Sequence, residues 1–410
     1  MISKLKYEHL LLLIAVLFAL FFSYTIQLNV KFSTTGDDSS YLYSAKLLYS
    51  EFKVDNTRPL LISAIHGLPY LFDASDKTVI NWGFFLNFSC WFFTDLLLFR
   101  MLTFRLGRKK AFYLAMLFLF FVGNLAINYN FLSESIYIFM IVLSVYFIHK
   151  YYQTKTHYYI TIAISILLLN ALIKPVSIGL ALIFIAFFIF KLKKIVFNRY
   201  AILLLISCFL IVMQMFSVKK NYGDFTISYI GSITYYNYLG AKSDCYKKGI
   251  EYVPGDNERT KQFTGLSSHE MKEKARQDFV DQLNNNTLNL GKAYLFCLYK
   301  NSSKGSYIVS ECKNNDQTPY FDFFYFVFKA IAKLQNILFT IGSILVSFYL
   351  LLNFKKTEKI YLLISLSILY LFFISGISSF QCDRFHLAFF PLTLLLFEKC
   401  LYSYFQKRPN

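Results

Sequence analysis

The sequence predicts an all-α polytopic membrane protein with about ten transmembrane helices, and three observations lead to that prediction. The chain of 410 residues is 56% hydrophobic and only 16% charged, whereas about a quarter of the residues in a soluble domain are charged. Apolar runs of about 20 residues recur along the chain, and each is long enough to cross the hydrocarbon core of a bilayer. Lys and Arg collect in the short links between these runs, as the positive-inside rule requires.

The apolar runs define the predicted spans, and the basic links define their direction. The links after the second, fourth, sixth and eighth spans are basic, as are both chain ends, so both termini are predicted to be cytoplasmic. The net charge of +18 follows from these links, and we expect no nucleic acid partner. The first run is too long for a signal-peptide core and is predicted to be retained. The predicted spans lie at 8–29, 78–100, 110–128, 132–149, 157–173, 175–191, 200–217, 335–354, 359–378 and 385–403.

This topology divides the chain into three parts. Residues 1–217 form a membrane domain whose first outer loop, 30–77, is expected to carry interfacial helices. Residues 218–334 form a long outer loop, and residues 335–410 form the last three membrane helices. Cysteines outside the spans can form one or two disulfides in an oxidising compartment or remain free thiols, and their pairing cannot be read from sequence. They are Cys245, Cys297, Cys312 and Cys382.

The octet GDDSSYLY at residues 36–43 places two adjacent acids, Asp37 and Asp38, just after the first span. Apolar residues follow at helical spacing, which predicts a short amphipathic helix lying on the membrane. One acid can simply cap this helix while the other is a solvated loop charge. Alternatively, the two carboxyls act together. Their proximity moves their pKa values apart, so that one of them can accept a proton from an acceptor hydroxyl. The other carboxyl then orients that hydroxyl or holds a cation.

Basic residues are predicted on the same face of the membrane. Arg58 precedes an apolar stretch, Leu60 to Phe72, that is too short to span and is expected to be interfacial or re-entrant. Arg58 therefore lies at the headgroup level, where its planar fork suits a phosphate or an ordinary lipid headgroup. His66, within the stretch, is expected to be a packing residue.

Three further segments bring ionisable residues to this face. Glu134 in LSESIY lies at the start of the fourth span. It is either a first-turn acid that the helix dipole stabilises or a second active-site acid. Lys174 lies between two apolar runs. It either pairs with an anionic lipid phosphate or is a lysine that snorkels to the membrane interface. Asp383, Arg384 and His386 open the last span. Asp383 and Arg384 can form an internal pair in an exposed link, or Arg384 and His386 can bind a phosphate.

These motifs, in this order, resemble the GT-C superfamily of polytopic glycosyltransferases, which use polyprenyl-phosphate sugars. The likeness is to protein O-mannosyltransferases and aminoarabinose transferases. GDDSSYLY is similar to the acidic motif of their first outer loop and RPLL to the start of their second interfacial helix. LSESIY resembles a recurrent Ser/Thr-Glu at a helix start, and DRFHLAFFPLTLLL resembles their final helices. The resemblance covers about the first 140 residues and the last 30.

The resemblance implies roles for the residues in these motifs. Asp37 or Asp38 becomes the catalytic base and Glu134 a further active-site acid. The donor phosphate is expected to bind the basic residues Arg58, Lys174, Arg384 and His386. The layout is also similar to that of serotype-converting glucosyltransferases, which decorate O-antigen from undecaprenyl-phosphate glucose. The chain departs from the family pattern in the loop 218–320, which has no obvious separate domain.

The long loop has one strong local signal and one ambiguous one. Ser267 with Glu270 three residues later forms a capping box, which predicts a helix from Ser267 to Leu283. Tyr235 and Tyr236, with Tyr229 and Tyr238, are expected either to stack on an acceptor sugar or to serve as interface aromatics.

The expected function is sugar transfer from a polyprenyl phosphate to an acceptor glycan or glycolipid at the outer face of a bacterial inner membrane. Membrane lipids are the other expected partners, and the need for a divalent cation stays open. Two alternatives remain: an envelope glycan polymerase or ligase, which does not need the early acid pair, and a lipid or glycan flippase, which makes no covalent product.

Overall fold

The computed structural model describes residues 6–28, 36–253, 258–263, 265–378 and 381–406. The protein is about 80% helical and contains no strand within these residues, which confirms the predicted helical class. The α-helices are α1 (Tyr7–Thr25), α2 (Asp37–Glu51), α3 (Leu60–Gly67), α4 (Asp76–Leu119), α5 (Val122–Ala126), α6 (Glu134–Thr154), α7 (Tyr158–Ala171), α8 (Ser177–Phe187), α9 (Leu192–Val196), α10 (Ala201–Tyr222), α11 (Ile230–Thr234), α12 (Ala241–Lys248), α13 (Glu258–Phe263), α14 (Ser268–Asn285), α15 (Thr287–Ser303), α16 (Tyr307–Ser310), α17 (Phe321–Leu352), α18 (Lys359–Ile374) and α19 (Phe390–Gln406). Short 3₁₀ turns occur at Leu68–Phe72, Ile127–Tyr129, Ile189–Lys191, Ser375–Ile377 and Cys382–Phe385, and a π-helical turn at Tyr235–Gly240.

Six helices of the described chain are long and apolar enough to cross a membrane: α1, α4, α6, α10, α17 and the α18 segment extended to Ile377. The predicted spans 78–100 and 110–128 form one helix, α4, that is broken at Gly107, where φ is 72° and ψ is 163°. The predicted spans 157–173 and 175–191 correspond to α7 and α8, with 14 and 11 residues. Ten long helices are therefore not observed.

The outermost long helices present apolar side chains away from the protein. In α10, Leu205 and Phe209 are more than 60% exposed, and in α17 the same holds for Leu345. A continuous apolar surface of this kind is typical of protein that faces lipid rather than water. The chain is thus a membrane-embedded helical protein.

The main core lies where α4, α6, α7, α18 and α19 pack together, and many polar side chains are buried in it. The first loop covers one end of this bundle with α2 and α3. These two helices are joined by a hydrogen bond from Ser63 Oγ to Ser44 Oγ (3.0 Å) and by one from Tyr49 Oη to the Ala64 carbonyl (2.8 Å). The short helical stretch predicted from Leu60 to Phe72 is confirmed.

The cap prediction for α2 is wrong. Gly36 occupies the N-cap position, and both acids lie in the first turn. No side chain caps this helix end. The Ser39 hydroxyl in the first turn donates to the Gly36 carbonyl (3.0 Å). Both acids are therefore part of the helix, and neither of them is its N-cap residue.

The long loop folds into the helices α11 to α16 around a small core of its own that includes Tyr236, Phe263 and Ala293. The predicted capping box is confirmed, because Ser267 and Glu270 make both reciprocal bonds at the start of α14. Cys245, Cys312 and Cys382 carry free thiols.

Candidate active site

The first turn of α2 separates the two adjacent acids. Successive residues of a helix point about 100° apart, so Asp37 and Asp38 face different surroundings. The Asp37 side chain is 35% exposed, whereas Asp38 is fully buried. Asp37 is thus the acid that a substrate can reach, a distinction that the sequence left open.

The chain before α3 holds Arg58 in place. The Asp55 carboxylate accepts bonds from the backbone N–H groups of Thr57 (2.8 Å) and Arg58 (2.7 Å), which tightens the loop. Gln214, buried in α10, accepts a bond from the Leu60 N–H (3.1 Å) and fixes the start of α3. Arg58 consequently has little freedom.

Arg58 reaches the acid through this fixed loop. Its Nη2 lies 2.6 Å from Asp37 Oδ1, and its Nε donates to Ser40 Oγ at 3.0 Å. The guanidinium lies over the Tyr41 ring, 4.2 Å from the centroid. A cation over an aromatic face gains a further attraction, so Arg58 is held on two sides.

The other oxygen of Asp37 binds a residue from the far end of the chain. Arg384 Nη1 lies 2.6 Å from Asp37 Oδ2, and the Nε of the same guanidinium binds Glu134 Oε1. Lys174 Nζ lies 2.8 Å from that Glu134 oxygen. Asp383 is not the ion-pair partner of its neighbour Arg384, so the predicted alternative of an internal Asp–Arg pair is wrong.

These side chains form one continuous chain of ion pairs. Its order is Arg58, Asp37, Arg384, Glu134 and Lys174, and its members come from five separate segments. We call it the Asp37 network. The five side chains carry three positive charges and two negative ones, so the network has one cation in excess.

The positive neighbours control the acidity of Asp37. Burial raises the pKa of this carboxyl, but the charges of Arg384 and Arg58 outweigh that effect and hold the pKa below its ordinary range. At Lys174, burial lowers the pKa of the ammonium group, and Glu134 acts against it. Asp37 is consequently a carboxylate at neutral pH.

A second group of polar residues lies behind the network. Asn130 Nδ2 is 3.5 Å from Asp38 Oδ2, and Tyr41 Oη is 2.7 Å from Ser133 Oγ. Tyr41 and Ser133 lie 92 residues apart in the chain. Their pairing joins α2 to the start of α6, and sequence spacing carries no signal for it.

Two tyrosines of the long loop, Tyr238 and Tyr307, interact electrostatically with the network. Burial raises the pKa of the Tyr238 hydroxyl, and the charge of Asp37 raises it further, while Arg384 acts the other way. The pKa of the Tyr307 hydroxyl is raised mainly by burial, and the charges of Arg384 and Asp37 also act on it in opposite directions.

Tyr235 and Tyr236 do not fit their predicted role as acceptor-stacking residues. They are 9% and 3% exposed. Tyr236 stacks on Phe263 at 4.1 Å, with Arg259 over the ring at 4.5 Å, and Tyr235 donates to Asp278 (2.8 Å). Their rings belong to the core of the long loop.

His386 is also separate from the network. It is fully buried, and its ring nitrogens contact Thr340 and Asn336 at 3.0 Å and Ser375 at 3.4 Å. These partners hold the ring inside the bundle, so its predicted contact with a phosphate does not fit this geometry. His66 is likewise buried and packs on Phe131 at 4.3 Å, as predicted, although neither of its ring nitrogens has a hydrogen-bond partner among the described residues.

Within the described residues, no group of three or more His, Cys, Asp or Glu side chains is arranged to hold a metal ion. Comparisons with protein-family models, curated proteins and solved structures find no match for this chain.

Proposed function

We propose that this protein transfers a sugar from a polyprenyl-phosphate donor, of the undecaprenyl-phosphate type, to a hydroxyl of an envelope acceptor such as O-antigen. One observation carries the proposal: the Asp37 network joins a reachable carboxylate to three cations and has one positive charge in excess. A phosphate-linked substrate needs this combination, because the cations bind the phosphate and the acid receives the proton of the nucleophile.

The reaction is a displacement at the anomeric carbon. The acceptor oxygen forms a bond to that carbon, and the bond from the carbon to the phosphate oxygen breaks. The lipid phosphate leaves with the electron pair and is stabilised by Arg58, Arg384 and Lys174. Asp37 takes the proton of the acceptor hydroxyl, so charge and atoms balance.

Donor binding also accounts for how Asp37 becomes a base. In the unliganded protein its two arginine partners depress its basicity. A donor phosphate competes for the same guanidinium groups, since Arg binds phosphate and carboxylate with the same planar fork. When the arginines turn to the phosphate, the pKa of Asp37 rises, because the nearby positive charge is shared with a second anion. The base is thus strengthened only when a donor is present.

The topology that completes this proposal has ten crossings, both termini in the cytoplasm and the Asp37 network on the periplasmic face of a bacterial inner membrane. The length of α4 supports separate crossings by its two halves. At 44 residues and 1.5 Å per residue it would be about 66 Å long if straight, roughly twice the hydrocarbon core. The break at Gly107 falls among basic residues, as a cytoplasmic link should.

The experiment is an assay of purified protein with a labelled polyprenyl-phosphate sugar and an acceptor glycan. Asp37→Asn should lower the rate by about 10²–10⁴-fold, the usual contribution of a general base. Glu51→Gln is the matched control, because Glu51 lies at the other end of α2 and pairs only with the exposed Lys53 among the described contacts.

The outcomes separate the competing functions. A glycan polymerase or ligase that does not use the acid pair would keep its activity in Asp37→Asn. A flippase would form no labelled covalent product with the unaltered protein but would move the labelled lipid across a vesicle membrane. Either result contradicts the proposal.

A further inference from the structure

Three lysines meet at the end of α8 that is remote from the Asp37 network. α8 begins just after Lys174 and ends just before Lys191. α18 packs against α8 in the opposite direction, since Tyr370 near the end of α18 donates to the Val176 carbonyl (2.8 Å) just before α8. Lys359, the first residue of α18, is therefore brought close to Lys191.

The third lysine lies in α9, which is fixed to α7. The buried Thr161 hydroxyl of α7 donates to the Ile195 carbonyl at 2.9 Å, and Lys194 precedes Ile195 in the chain. The charges of Lys194 and Lys359 both act on Lys191. We call Lys191, Lys194 and Lys359 the Lys191 cluster.

Aromatic side chains hold Lys191 in place. Its Nζ contacts Tyr151 Oη and lies over the Tyr151 ring, 4.5 Å from the centroid. Tyr151 is 4% exposed and packs edge-on against Phe188, with the ring centroids 5.8 Å apart. A cation over an aromatic face is attracted by the ring, so the ammonium group keeps this position although two other cations lie nearby.

No acid of the described protein neutralises the Lys191 cluster. Each acid at or beside the links on this face pairs with an arginine, either Arg105 or Arg108. Like charges that are held together repel each other, so the cluster attracts an anion from outside the chain. The acids in question are Glu8, Glu358 and Glu398.

The segment that carries two of these lysines also exposes large apolar side chains. Phe190 is 100% exposed and Phe197 is 78% exposed, and they flank Lys191 and Lys194 in the sequence. Basic and exposed aromatic side chains in one short segment are typical of protein that lies at the headgroup level of a membrane. The external anion is therefore expected to come from the lipid.

We propose that the Lys191 cluster binds the headgroup of an anionic phospholipid. The phosphodiester supplies the missing negative charge, and the acyl chains contact Phe190 and Phe197. Basic pockets between membrane helices bind lipid headgroups in this way. A zwitterionic lipid also carries a phosphate, but its own ammonium group cancels the charge. The site does not depend on sugar transfer, and its test uses no sugar.

Native mass spectrometry of the delipidated full chain tests the site. Phosphatidylglycerol and phosphatidylcholine with the same acyl chains are titrated into separate samples. The unaltered protein should bind phosphatidylglycerol at least about tenfold more tightly. Combining Lys191→Gln, Lys194→Gln and Lys359→Gln should weaken phosphatidylglycerol binding by about 100-fold, because each lysine near the membrane surface contributes about fivefold.

Three lysines from other links of the same predicted face provide a matched control. Lys109→Gln, Lys150→Gln and Lys355→Gln together remove the same charge, and none of these lysines is among the groups that act on Lys191. Phosphatidylglycerol binding should stay within about threefold, because solvent screens exposed charges over about 10 Å. An equal loss in both triple variants means that only the total charge of the face attracts lipid, and it overturns the proposal.

Two further outcomes contradict the site without relying on any variant. The first is equal affinity of the unaltered protein for the two lipids, since a cluster that needs an anion must distinguish them. The second concerns inorganic phosphate, which has the charge but no acyl chains and should not displace bound phosphatidylglycerol. Displacement by phosphate at the concentration of the lipid would mean that the ligand is a soluble anion.

Discussion

Two ion-pair networks hold opposite ends of the last helices, and they differ in charge balance. The Asp37 network has three cations for two acids, whereas the second network links Arg105 and Lys399 to Glu358 and Glu398, two cations for two acids. Of the second network, Glu358 is 45% exposed; in the Asp37 network, Glu134 is 2% exposed. A balanced network joins helices, while one with a spare positive charge is also suited to an anion.

The largest expected difference between the networks is in stability. Glu134→Ala leaves Arg384 and Lys174 with one anionic partner fewer in a buried setting, and breaking a buried pair costs about 3–5 kcal/mol. Glu358→Ala should cost about 1 kcal/mol or less, because exposed pairs are screened by solvent.

The midpoints of thermal unfolding of the two variants in the same detergent measure this difference. The midpoint should fall several times further in Glu134→Ala than in Glu358→Ala. Equal shifts would mean that the two networks serve the same structural purpose.

The next difference is in activity. Arg384→Lys keeps the positive charge but loses the planar guanidinium that binds Asp37 and Glu134 at the same time. The transfer rate should fall about 100-fold, which corresponds to about 2.7 kcal/mol of lost transition-state stabilisation. Arg105→Lys, the same change in the balanced network, should leave the rate within about twofold.

Initial rates at saturating and at low donor concentration separate the effects of these variants on binding and on chemistry. If both arginine variants lose activity equally, charge excess does not distinguish the functional network.

The sequence predicted the elements of the site better than their arrangement. The acid pair, Arg58, Glu134, Lys174 and Arg384 stand out because charges next to apolar runs are rare. Which acid is exposed depends on the rotation of α2, and the packing of α2 against α3 and α4 decides that rotation. Local spacing therefore could not separate Asp37 from Asp38.

The predicted site residues that lie apart from the network have surroundings that come from distant segments. Tyr235 and Tyr236 are buried by contacts with residues later in the chain, namely Phe263, Arg259 and Asp278. No motif near the tyrosines predicts these contacts. His386 lies two residues from Arg384, yet α17 and the turn after α18 hold it away from the network. Adjacency in sequence was a poor guide to shared function there.

The smallest expected effect concerns two acids whose pKa values move in opposite directions. Burial raises the pKa of Asp383 to about 7, and the Tyr307 backbone N–H only partly opposes this. In the unfolded chain the value is about 3.8, so between these values the folded state binds more protons than the unfolded one. Stability should fall by about 1 kcal/mol from pH 5 to pH 6 through this group alone.

Asp383→Asn isolates this contribution, since the amide does not titrate. Its unfolding free energy should lack the decline between pH 5 and pH 6 and exceed that of the unaltered protein above pH 7. Asp37 gives the opposite sign: its lowered pKa contributes stability above about pH 4 that is lost as the solution becomes more acidic. Unfolding midpoints measured from pH 3 to pH 8 should therefore depart from those of the unaltered protein in opposite directions as the pH rises, upward for Asp383→Asn and downward for Asp37→Asn. Parallel curves would show that neither acid responds to its neighbours in the way that the ion pairs require.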